Sequence, residues 1–416
     1  MAFASPTGSA SCASIPGLFT AIGGLTLSLT ALVQFLSQGT ALFLREAGQP
    51  SEVISLVFLA SLPWIMRFLW APLIDRHGSA RFGHFRSWIA ATQIVIVVLF
   101  AGLLLTDPSG DVVGLMLALA LLSAVMGTQQ TAIFALMATY LQGPERVKGL
   151  TIMAFCYAAA GCLMGAGVLH FLGDLGWHVT VSAILAFTCL VLVALALTRL
   201  DAGRKPAPTE VRLLNQFAIF RQRAARRLLG VATLLNISVA ATYGLQSLML
   251  IDAGFSVSEA SLVSIVGASA AGMAGGLLAR PFVERLGGYF AAGLIGAVMA
   301  VLCMIFGLFW SASIADHWIV AFILANSVVV FGLIPALKSI LMGLCGEGRK
   351  ATDMSAFSGV EGFIFIGVLS TATALADTVG YGSIIFCAGL VSLLGAAAAI
   401  WNRAEHPGME TKEVQA

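Results

Sequence analysis

Residues 64–76 read WIMRFLWAPLIDR and decide the fold of this chain. The stretch is apolar except for Arg67 in its interior, and it ends in an aspartate and an arginine before a basic loop. A second stretch, ARPFVERLG at residues 279–287, repeats its end: a proline, two apolar residues, an acid and an arginine recur in register, and a glycine follows in both copies. The chain therefore consists of two similar halves, each with a charged turn after an apolar segment, an organisation typical of membrane transporters.

The composition of the 416-residue chain predicts that it lies in a lipid bilayer. Hydrophobic residues make up 59% of the sequence and charged residues 10%, whereas soluble domains carry about 25% charged residues. The mean hydropathy is +0.96. A membrane-spanning helix needs about 20 mostly apolar residues, and we therefore expect an all-α integral membrane protein with twelve transmembrane helices. The apolar stretches lie at residues 17–44, 52–73, 87–106, 112–141, 149–172, 178–198, 228–251, 258–281, 289–311, 318–344, 354–377 and 383–401.

The positively charged residues predict the orientation of the chain. If the N-terminus is cytoplasmic, Arg45 falls in an outer loop, Arg67 and Lys338 fall within spans, and the other 19 of the 22 Lys and Arg fall in cytoplasmic loops and tails. This bias follows the positive-inside rule, so both termini are expected in the cytoplasm. Residues 1–16 contain no Lys or Arg, which argues against a cleaved signal peptide with a basic start.

The sequence carries no motif of an enzyme or of a metal site. Its seven cysteines form no CxxC pair and no metal-ligand spacing, and we interpret them as small apolar residues. There is neither a GxGxxG nor a P-loop motif, and no cytoplasmic segment is long enough for an ATPase. We therefore expect no enzymatic activity, no cofactor and no bound metal. The energy for transport must come from a gradient or from the substrate itself.

The largest interruption between spans is a basic segment at residues 199–227, which holds eight Lys and Arg and two prolines. It divides the chain into an N-terminal six-helix bundle (1–198) and a C-terminal six-helix bundle (228–401), followed by a cytoplasmic tail (402–416). We favour a cytoplasmic linker whose basic residues rest on anionic lipid headgroups over a nucleic-acid site. Residues 211–227 are candidates for an amphipathic helix on the membrane surface.

Six spans, a basic linker and six further spans resemble the plan of the major facilitator superfamily, whose halves are parallel repeats. Residues 75–78 (DRHG) and 284–287 (ERLG) resemble the loop motif that this superfamily carries after its second and eighth spans. The resemblance covers nearly the whole chain and implies two pseudo-symmetric six-helix bundles that work by alternating access. It also implies that the charged residues of the motif form a conformational latch between neighbouring helices. These residues are Asp75, Arg76, Glu284 and Arg285.

Residues 62–76 resemble more narrowly the AmpG-related branch, which includes muropeptide permeases, acetyl-CoA transporters and siderophore importers of the RhtX/FptX type. The branch usually has Tyr and Lys where this chain has Trp64 and Arg67. Muropeptide permeases commonly carry two extra spans, whereas the length and span count of this chain are closer to the siderophore importers. The resemblance therefore implies a monomeric symporter of the bacterial inner membrane that takes up a ferric siderophore with protons. The alternatives are a muropeptide permease and an exporter of drugs or metabolites; the expected partners are the small-molecule substrate and the lipid bilayer, with no nucleic acid.

Polar residues cluster on the first, fourth, seventh and tenth spans, which by this resemblance face the central cavity. Gln34 and Gln38, for example, share one face of the first span because they are four residues apart. We predict that the group lines a substrate pathway, although each amide can instead hydrogen-bond between neighbouring helices. The candidates are Gln34, Gln38, Gln129, Gln130, Asn236, Tyr243, Gln246 and Asn326.

Arg67 is an ionisable residue deep within a span, a position that is rare and usually functional. At 1.5 Å per residue it lies about 12 Å from Asp75 at the membrane edge. Trp64 and Trp70 stand three residues to either side, so the guanidinium can lie between aromatic faces. Two interpretations remain open: Arg67 binds anionic or phenolate oxygens of the substrate, or it is the buried partner of a carboxylate such as Glu361.

Lys338 and Glu361 lie on consecutive spans, at similar depths relative to the loop that joins them. An ion pair is the simpler interpretation, because an unpaired charge at that depth is costly. The alternative makes Glu361 the protonatable residue that couples transport to protons, released from Lys338 or Arg67 during the cycle.

Overall fold

The computed structural model describes residues 15–46, 48–49, 56–57, 59–79, 82–105, 110–164, 169–197, 215–310 and 316–405. In this part the chain is helical, apart from short connections and one isolated bridge between Ser79 and Gly83. Ten of the helices described are long and apolar enough to cross a membrane. The other two predicted spans are a broken helix between residues 62 and 76 and the helix Gly143–Cys162. The expected all-α membrane architecture is confirmed.

We number the transmembrane spans 1 to 12. Spans 1 and 8 each contain one π-helical stretch, and Gly176 (φ 73°) kinks span 6. The helices are Ile15–Gln34, Phe35–Gly39 (π) and Thr40–Glu46 in span 1; Leu62–Met66, Arg67–Leu69 (3₁₀) and Ala71–Arg76 in span 2; His84–Leu103 in span 3; Val112–Tyr140 in span 4; Gly143–Cys162 in span 5; Leu169–Leu197 in span 6; Arg223–Asp252 in span 7; Val257–Ser261, Leu262–Gly267 (π) and Ala268–Leu286 in span 8; Gly288–Phe309 in span 9; Asp316–Leu344 in span 10; Lys350–Val379 in span 11; and Tyr381–Glu405 in span 12.

Span 2 breaks near its middle, just before a proline. Pro72 has no N–H to donate to the carbonyl of Phe68, and in a continuous helix its ring would crowd that carbonyl. The α-helix gives way to a 3₁₀ turn at Arg67–Leu69 and resumes at Ala71. Pro281, at the equivalent position of the second half, lies inside the continuous helix Ala268–Leu286. The repeated sequence thus takes two backbone conformations, and the broken one carries the buried arginine.

The described end of the linker packs against one span from each half. Gln216 donates to the carbonyl of Leu69 (2.9 Å), which lies at the break in span 2. Phe217 packs on Phe68 with the ring centroids 5.6 Å apart. Arg349, at the start of span 11, donates to a linker carbonyl (2.7 Å). The linker therefore contacts both halves at the point where they meet.

The predicted surface helix over residues 211–227 does not form in the part that the structure describes. Residues 215–222 contain only short 3₁₀ and turn segments, and the helix of span 7 begins at Arg223, inside the predicted linker. The short helix Ala218–Arg221 is too brief to present an amphipathic face. The rest of the linker, residues 199–214, and most of the predicted tail, residues 406–416, lie outside the described residues.

Spans 8 and 10 approach closely because Gly275 has no side chain. A Cβ at Gly275 would lie 2.0 Å from the carbonyl oxygen of Val328, so the backbones would have to separate. We expect Gly275→Ala to destabilise the protein by about 1–3 kcal/mol, measured as a lower unfolding temperature in detergent. Gly230→Ala in span 7 is the matched control, since its added Cβ meets nothing within 4 Å. Equal unfolding temperatures for the two variants would contradict the close packing of spans 8 and 10.

Candidate functional site

Arg67 lies at the break in span 2 and reaches span 4. Its guanidinium donates to Oε1 of Gln130 (2.7 Å) and lies over the ring of Trp64, 5.2 Å from the centroid. Arg67 is only 7% exposed, so bulk water cannot hydrate its charge fully. The indole of Trp70 donates to Thr128 of span 4 (2.8 Å). Of the two flanking tryptophans, one supports the guanidinium and the other ties span 2 to span 4.

A second hydrogen bond holds Gln130 in place. Its Nε2 donates to the hydroxyl of Tyr157 on span 5 (2.8 Å), so Arg67, Gln130 and Tyr157 form a chain across three spans of the first half. Tyr157 is not among the pathway residues predicted from the sequence. The chain of hydrogen bonds is what distinguishes it.

The second half contributes an ion pair at the same site. Lys338 of span 10 donates to Glu361 of span 11, and Asn236 of span 7 donates to the other carboxylate oxygen (3.2 Å). Lys338 also lies 3.5 Å from the hydroxyl of Ser358 and over the ring of Phe357, 5.8 Å from its centroid. The side chains of Lys338 and Glu361 are 19% and 13% exposed, which leaves the pair accessible from a cavity.

That cavity has a volume of about 300 Å³ and opens between spans 7, 10 and 11. Asn236, Lys338 and Glu361 supply its polar groups, and its other walls are largely apolar, with Leu333 and Phe365 among them. Ligand pockets usually measure about 300–1,000 Å³ and combine apolar walls with a few polar groups. The cavity therefore suits one portion of an amphiphilic ligand.

Spans 2 and 11 bring the two groups of residues together. A Cβ on Gly362 would lie 3.3 Å from the side chain of Ile65, so the helices touch beside Glu361. A Cβ on Gly359 would lie 2.7 Å from the ring of Phe68, the residue after Arg67. None of the ion pairs between described residues includes Arg67. The site thus holds two cations, Arg67 and Lys338, and one carboxylate, and its charge is not balanced within the described residues.

The sequence model of the Major Facilitator Superfamily matches residues 15–368. The chain belongs to this superfamily. Two solved structures agree with the fold of this transporter. The human organic anion transporter MFSD10 (TETRAN) has a TM-score of 0.70 at 16% identity, covering 93% of this chain and 99% of that one. The superfamily transporter FucP in its outward conformation has a TM-score of 0.73 at 10% identity, covering 93% and 98%. The expected fold of twelve helices in two six-helix bundles is confirmed.

Relatives of this transporter are found in the AmpG-related branch. The anhydromuropeptide permease of Escherichia coli (strain K12) is 28% identical over 338 residues, which are 76% of this chain and 66% of the permease. This chain thus spans just under two thirds of the length of that permease. The putative transporter AmpG 3 of Rickettsia typhi is 23% identical over 383 residues, 84% of this chain and 88% of that protein. These relatives support the AmpG-related resemblance and favour the muropeptide alternative; they lend no support to a siderophore importer.

The first charged motif of the transporter contacts the opposite half. Asp75 accepts hydrogen bonds from the backbone N–H groups of Ala351 (2.9 Å) and Thr352 (2.7 Å) and from the Thr352 hydroxyl (2.6 Å). Both residues belong to the first turn of span 11, Lys350–Val379. The carboxylate therefore caps this helix and faces the positive end of its dipole.

The second charged motif makes a different contact. Glu284 pairs with Arg280, four residues earlier in its own helix (2.6 Å), and this contact does not join the halves. Neither Arg76 nor Arg285 takes part in the contact at Asp75. Within the described structure, Asp75 is therefore the one predicted latch residue with a contact to the opposite half, and Glu284 pairs with Arg280 instead.

We expect Asp75→Asn to insert normally and to transport at a sharply reduced rate. The amide keeps the size of the side chain, but it has one acceptor oxygen in place of two and no charge to face the helix dipole. The measurement is the initial uptake rate per amount of protein in the membrane. Glu284→Gln is the comparison variant, and its loss should be smaller because Glu284 bonds within its own helix. Parental uptake rates in Asp75→Asn would rule out the latch.

Three of the predicted pathway residues lie close to the cavity or the charged groups. Gln130 and Asn236 hydrogen-bond to charged side chains, as described above. Tyr243 of span 7 packs its ring on Phe365, a residue of the cavity wall, at a centroid distance of 6.0 Å. These three remain candidates for substrate contact.

Three other predicted pathway residues form contacts between helices instead. All three are buried, and each donates a hydrogen bond to a neighbouring span. The contacts join Gln129 to Gln93 of span 3 (2.5 Å), Gln246 to the Ser264 carbonyl of span 8 (3.4 Å), and Asn326 to Thr242 of span 7 (3.1 Å). Adjacent positions of a helix point about 100° apart, which is why Gln129 turns away from the site that Gln130 enters.

The two glutamines of span 1 are the last of the predicted pathway residues. The side-chain nitrogen of Gln34 lies near Gly161 of span 5, 3.9 Å from where a Cβ would stand. Gln34 thus lies at the contact between spans 1 and 5. The side chain of Gln38 lies outside the described residues.

Proposed function

We propose that this transporter takes up an anionic amphiphile of the muropeptide class and couples the uptake to protons. The observation that carries the proposal is the buried guanidinium of Arg67, which has no carboxylate partner among the described residues. Arg67 lies on span 2, and this span packs on span 11 next to Glu361 through Ile65 and Gly362. Binding of an anionic group would compensate this charge. The siderophore importer expected from chain length and span count becomes the competing substrate class.

Arg67 is suited to hold a substrate carboxylate. A guanidinium has five N–H donors in a planar fork, and one hydrogen bond, to Gln130, is described for it. A buried charge without a partner is costly, so a binding site for an anion explains why the residue is retained at that depth. The ring of Trp64 and the amide of Gln130 would hold the fork in place for the incoming group.

Glu361 is suited to carry the proton. It is the only Asp or Glu well inside a span of the sequence, and ionisable residues at such depths commonly serve ion and proton pathways. Its partners Lys338 and Asn236 come from two other spans. Loss of the charge on Glu361 would release Lys338 and so change the contact between spans 10 and 11.

The substrate class rests on the relatives and on the cavity. The curated relatives include an anhydromuropeptide permease, and a muropeptide joins a sugar to a peptide with free carboxylates. The cavity of about 300 Å³ offers apolar walls with charged groups at hand, which suits one part of such a molecule. Carboxylates of its peptide would supply the negative charge that Arg67 lacks.

Uptake by vesicles tests this choice of substrate. The transporter is produced in a bacterial host without its own anhydromuropeptide permease, and membrane vesicles are given labelled anhydromuropeptide or labelled ferric siderophore. We expect saturable uptake of the anhydromuropeptide above the empty-vector level and no competition from excess ferric siderophore. Uptake of the siderophore without uptake of the anhydromuropeptide would replace the muropeptide proposal by the siderophore one.

A further inference from the structure

We infer that Glu361 and a carboxylate of the substrate compete for Lys338. Protonation of Glu361 releases Lys338, and the substrate then binds through one anionic group to Lys338 and through another to Arg67 of the other half. This inference rests on the proposed function and deepens it. It names the ligand as a dianion and describes protonation and binding as one linked event.

The charges at the site lead to this inference. Arg67 and Lys338 are both largely buried, and Glu361 is the one carboxylate paired with either of them among the described residues. With Glu361 ionised, the three groups leave one excess positive charge. With Glu361 protonated, they leave two. The site therefore suits a monoanion in the first state and a dianion in the second.

Lys338 can exchange one carboxylate for another without losing its other contacts. Its ammonium lies 3.5 Å from the hydroxyl of Ser358 and 5.8 Å from the ring centroid of Phe357, so two neighbours hold it near the cavity while its partner changes. Because Lys338 lines the cavity beside Glu361, a ligand carboxylate can approach from the side already occupied by Glu361. The carboxylate of Glu361 and that of the ligand cannot occupy the same position on the Lys338 ammonium at the same time.

Asn236 can hydrogen-bond to Glu361 in both of its protonation states. Its Nδ2 donates to the ionised carboxylate at 3.2 Å. A side-chain amide carries an acceptor as well as donors, so after rotation its oxygen can accept a hydrogen bond from the O–H of a neutral carboxyl group. Asn236 is thus a positioning residue that keeps Glu361 in place when Lys338 leaves it.

The other titratable groups on the spans around this site are two cations and two tyrosines. Lys338 lies on span 10 and Arg67 on span 2, Tyr243 lies further along span 7, and Tyr157 of span 5 lies behind Gln130. The two tyrosines are neutral near neutral pH, since phenols titrate near pH 10. Glu361 is therefore the one carboxylate of this group, and it is paired with Lys338.

Linkage gives the sign of the expected pH dependence. If the substrate carboxylate displaces ionised Glu361, binding takes up one proton, and affinity rises as the pH falls. The limit for one linked proton is tenfold in affinity per pH unit. A ligand without free carboxylates cannot replace Glu361 as the partner of Lys338, so its affinity should not rise as the pH falls.

Binding to the purified full chain in lipid nanodiscs tests the inference. The probes are an anhydromuropeptide with free peptide carboxylates and the same molecule with those carboxylates amidated. In the parent protein we expect the dissociation constant of the free acid to fall at least tenfold from pH 7.5 to pH 5.5, with uptake of about one proton per ligand. The amidated probe should bind weakly at both pH values.

Two variants and one control sharpen the test. Glu361→Gln imitates the protonated state and should bind the free acid at pH 7.5 as tightly as the parent does at pH 5.5, with no proton uptake. Lys338→Met should reduce the preference for the free acid over the amidated probe. Asp316→Asn removes a carboxylate at the far end of span 10 and should leave the pH response of the parent unchanged.

The outcomes separate the two levels of the proposal. If the parent binds the free acid equally well at both pH values without proton uptake, the exchange at Lys338 is wrong and the proposed substrate stands. The exchange is also wrong if Glu361→Gln folds and binds the free acid more weakly than the parent at pH 7.5, since Glu361 would then be a ligand and not a competitor. If the parent binds neither probe at either pH, both the substrate class and the exchange are overturned. If a variant fails to fold, the number of protons that the parent protein takes up per bound ligand still tests the exchange at Lys338.

Discussion

Glu361→Gln is expected to abolish the accumulation of substrate against its gradient while leaving exchange of substrate across the membrane intact. The amide matches the carboxyl group in size and keeps hydrogen-bonding capacity toward Asn236 and Lys338, but it cannot gain or lose a proton in the working pH range. A transporter that no longer carries a proton can still alternate between its two states when substrate is present on both sides. It can no longer use a proton gradient to drive net uptake.

Reconstituted vesicles measure both activities of Glu361→Gln. Net accumulation is followed with an imposed proton gradient, and exchange is followed as counterflow of labelled substrate into vesicles preloaded with unlabelled substrate. Counterflow at about the parental rate, together with no accumulation, is the expected pair of results. If the variant still accumulates substrate, and a protonophore still collapses that accumulation, the proton is carried elsewhere.

Arg67→Ala is expected to lose most of the affinity for substrate. Removing one partner of a buried, hydrogen-bonded charge pair costs about 2–5 kcal/mol of binding free energy, which corresponds to a rise of about 30-fold or more in the dissociation constant. Arg67→Lys keeps the charge but lacks the planar fork that binds a carboxylate through two parallel hydrogen bonds, so its affinity should fall between those of the parent and the alanine variant.

The affinity of both Arg67 variants is measured by equilibrium binding in nanodiscs, alongside the yield of folded protein. Arg403→Ala is the control, because Arg403 likewise lies over an aromatic ring, 4.7 Å from the centroid of Phe290, but lies at the far end of span 12. We expect it to bind substrate as the parent does. Arg67→Ala that folds and binds substrate as tightly as the parent would reduce Arg67 to a structural role.

The fold was predictable from the sequence because bilayer thickness imposes a length on every span. Apolar stretches of about 20 residues and the bias of Lys and Arg sufficed to predict the helical architecture. The depth of Lys338 and Glu361 was readable for the same reason, since both are placed by counting residues from one short loop. Position along a helix follows from residue number, and this is the part of the site that the sequence predicts well.

The direction in which a side chain points is much harder to read. Gln129 and Gln130 are adjacent and chemically identical, and only the packing of neighbouring helices determines that one meets Gln93 and the other meets Arg67. Tyr157 was overlooked for the same reason. A single sequence holds no information on which face of span 5 meets span 4.

The equivalence of the two halves was also misleading in detail. Pro72 and Pro281 occupy equivalent positions, yet span 2 breaks and span 8 continues through its proline. Asp75 caps a helix of the other half, whereas Glu284 is held by Arg280 one turn earlier in its own helix. The sequence does contain Arg280 at that spacing, so this contact could have been read as an i, i+4 ion pair.

Accumulation in vesicles that contain only the purified protein tests proton-coupled uptake most directly. Labelled anhydromuropeptide is supplied outside vesicles, and a proton gradient is imposed in either direction or omitted. The account predicts accumulation above the outside concentration only when protons flow inward with the substrate, and collapse of that accumulation by a protonophore. Accumulation that requires protons to flow outward, or that is equal with and without a gradient, would contradict it.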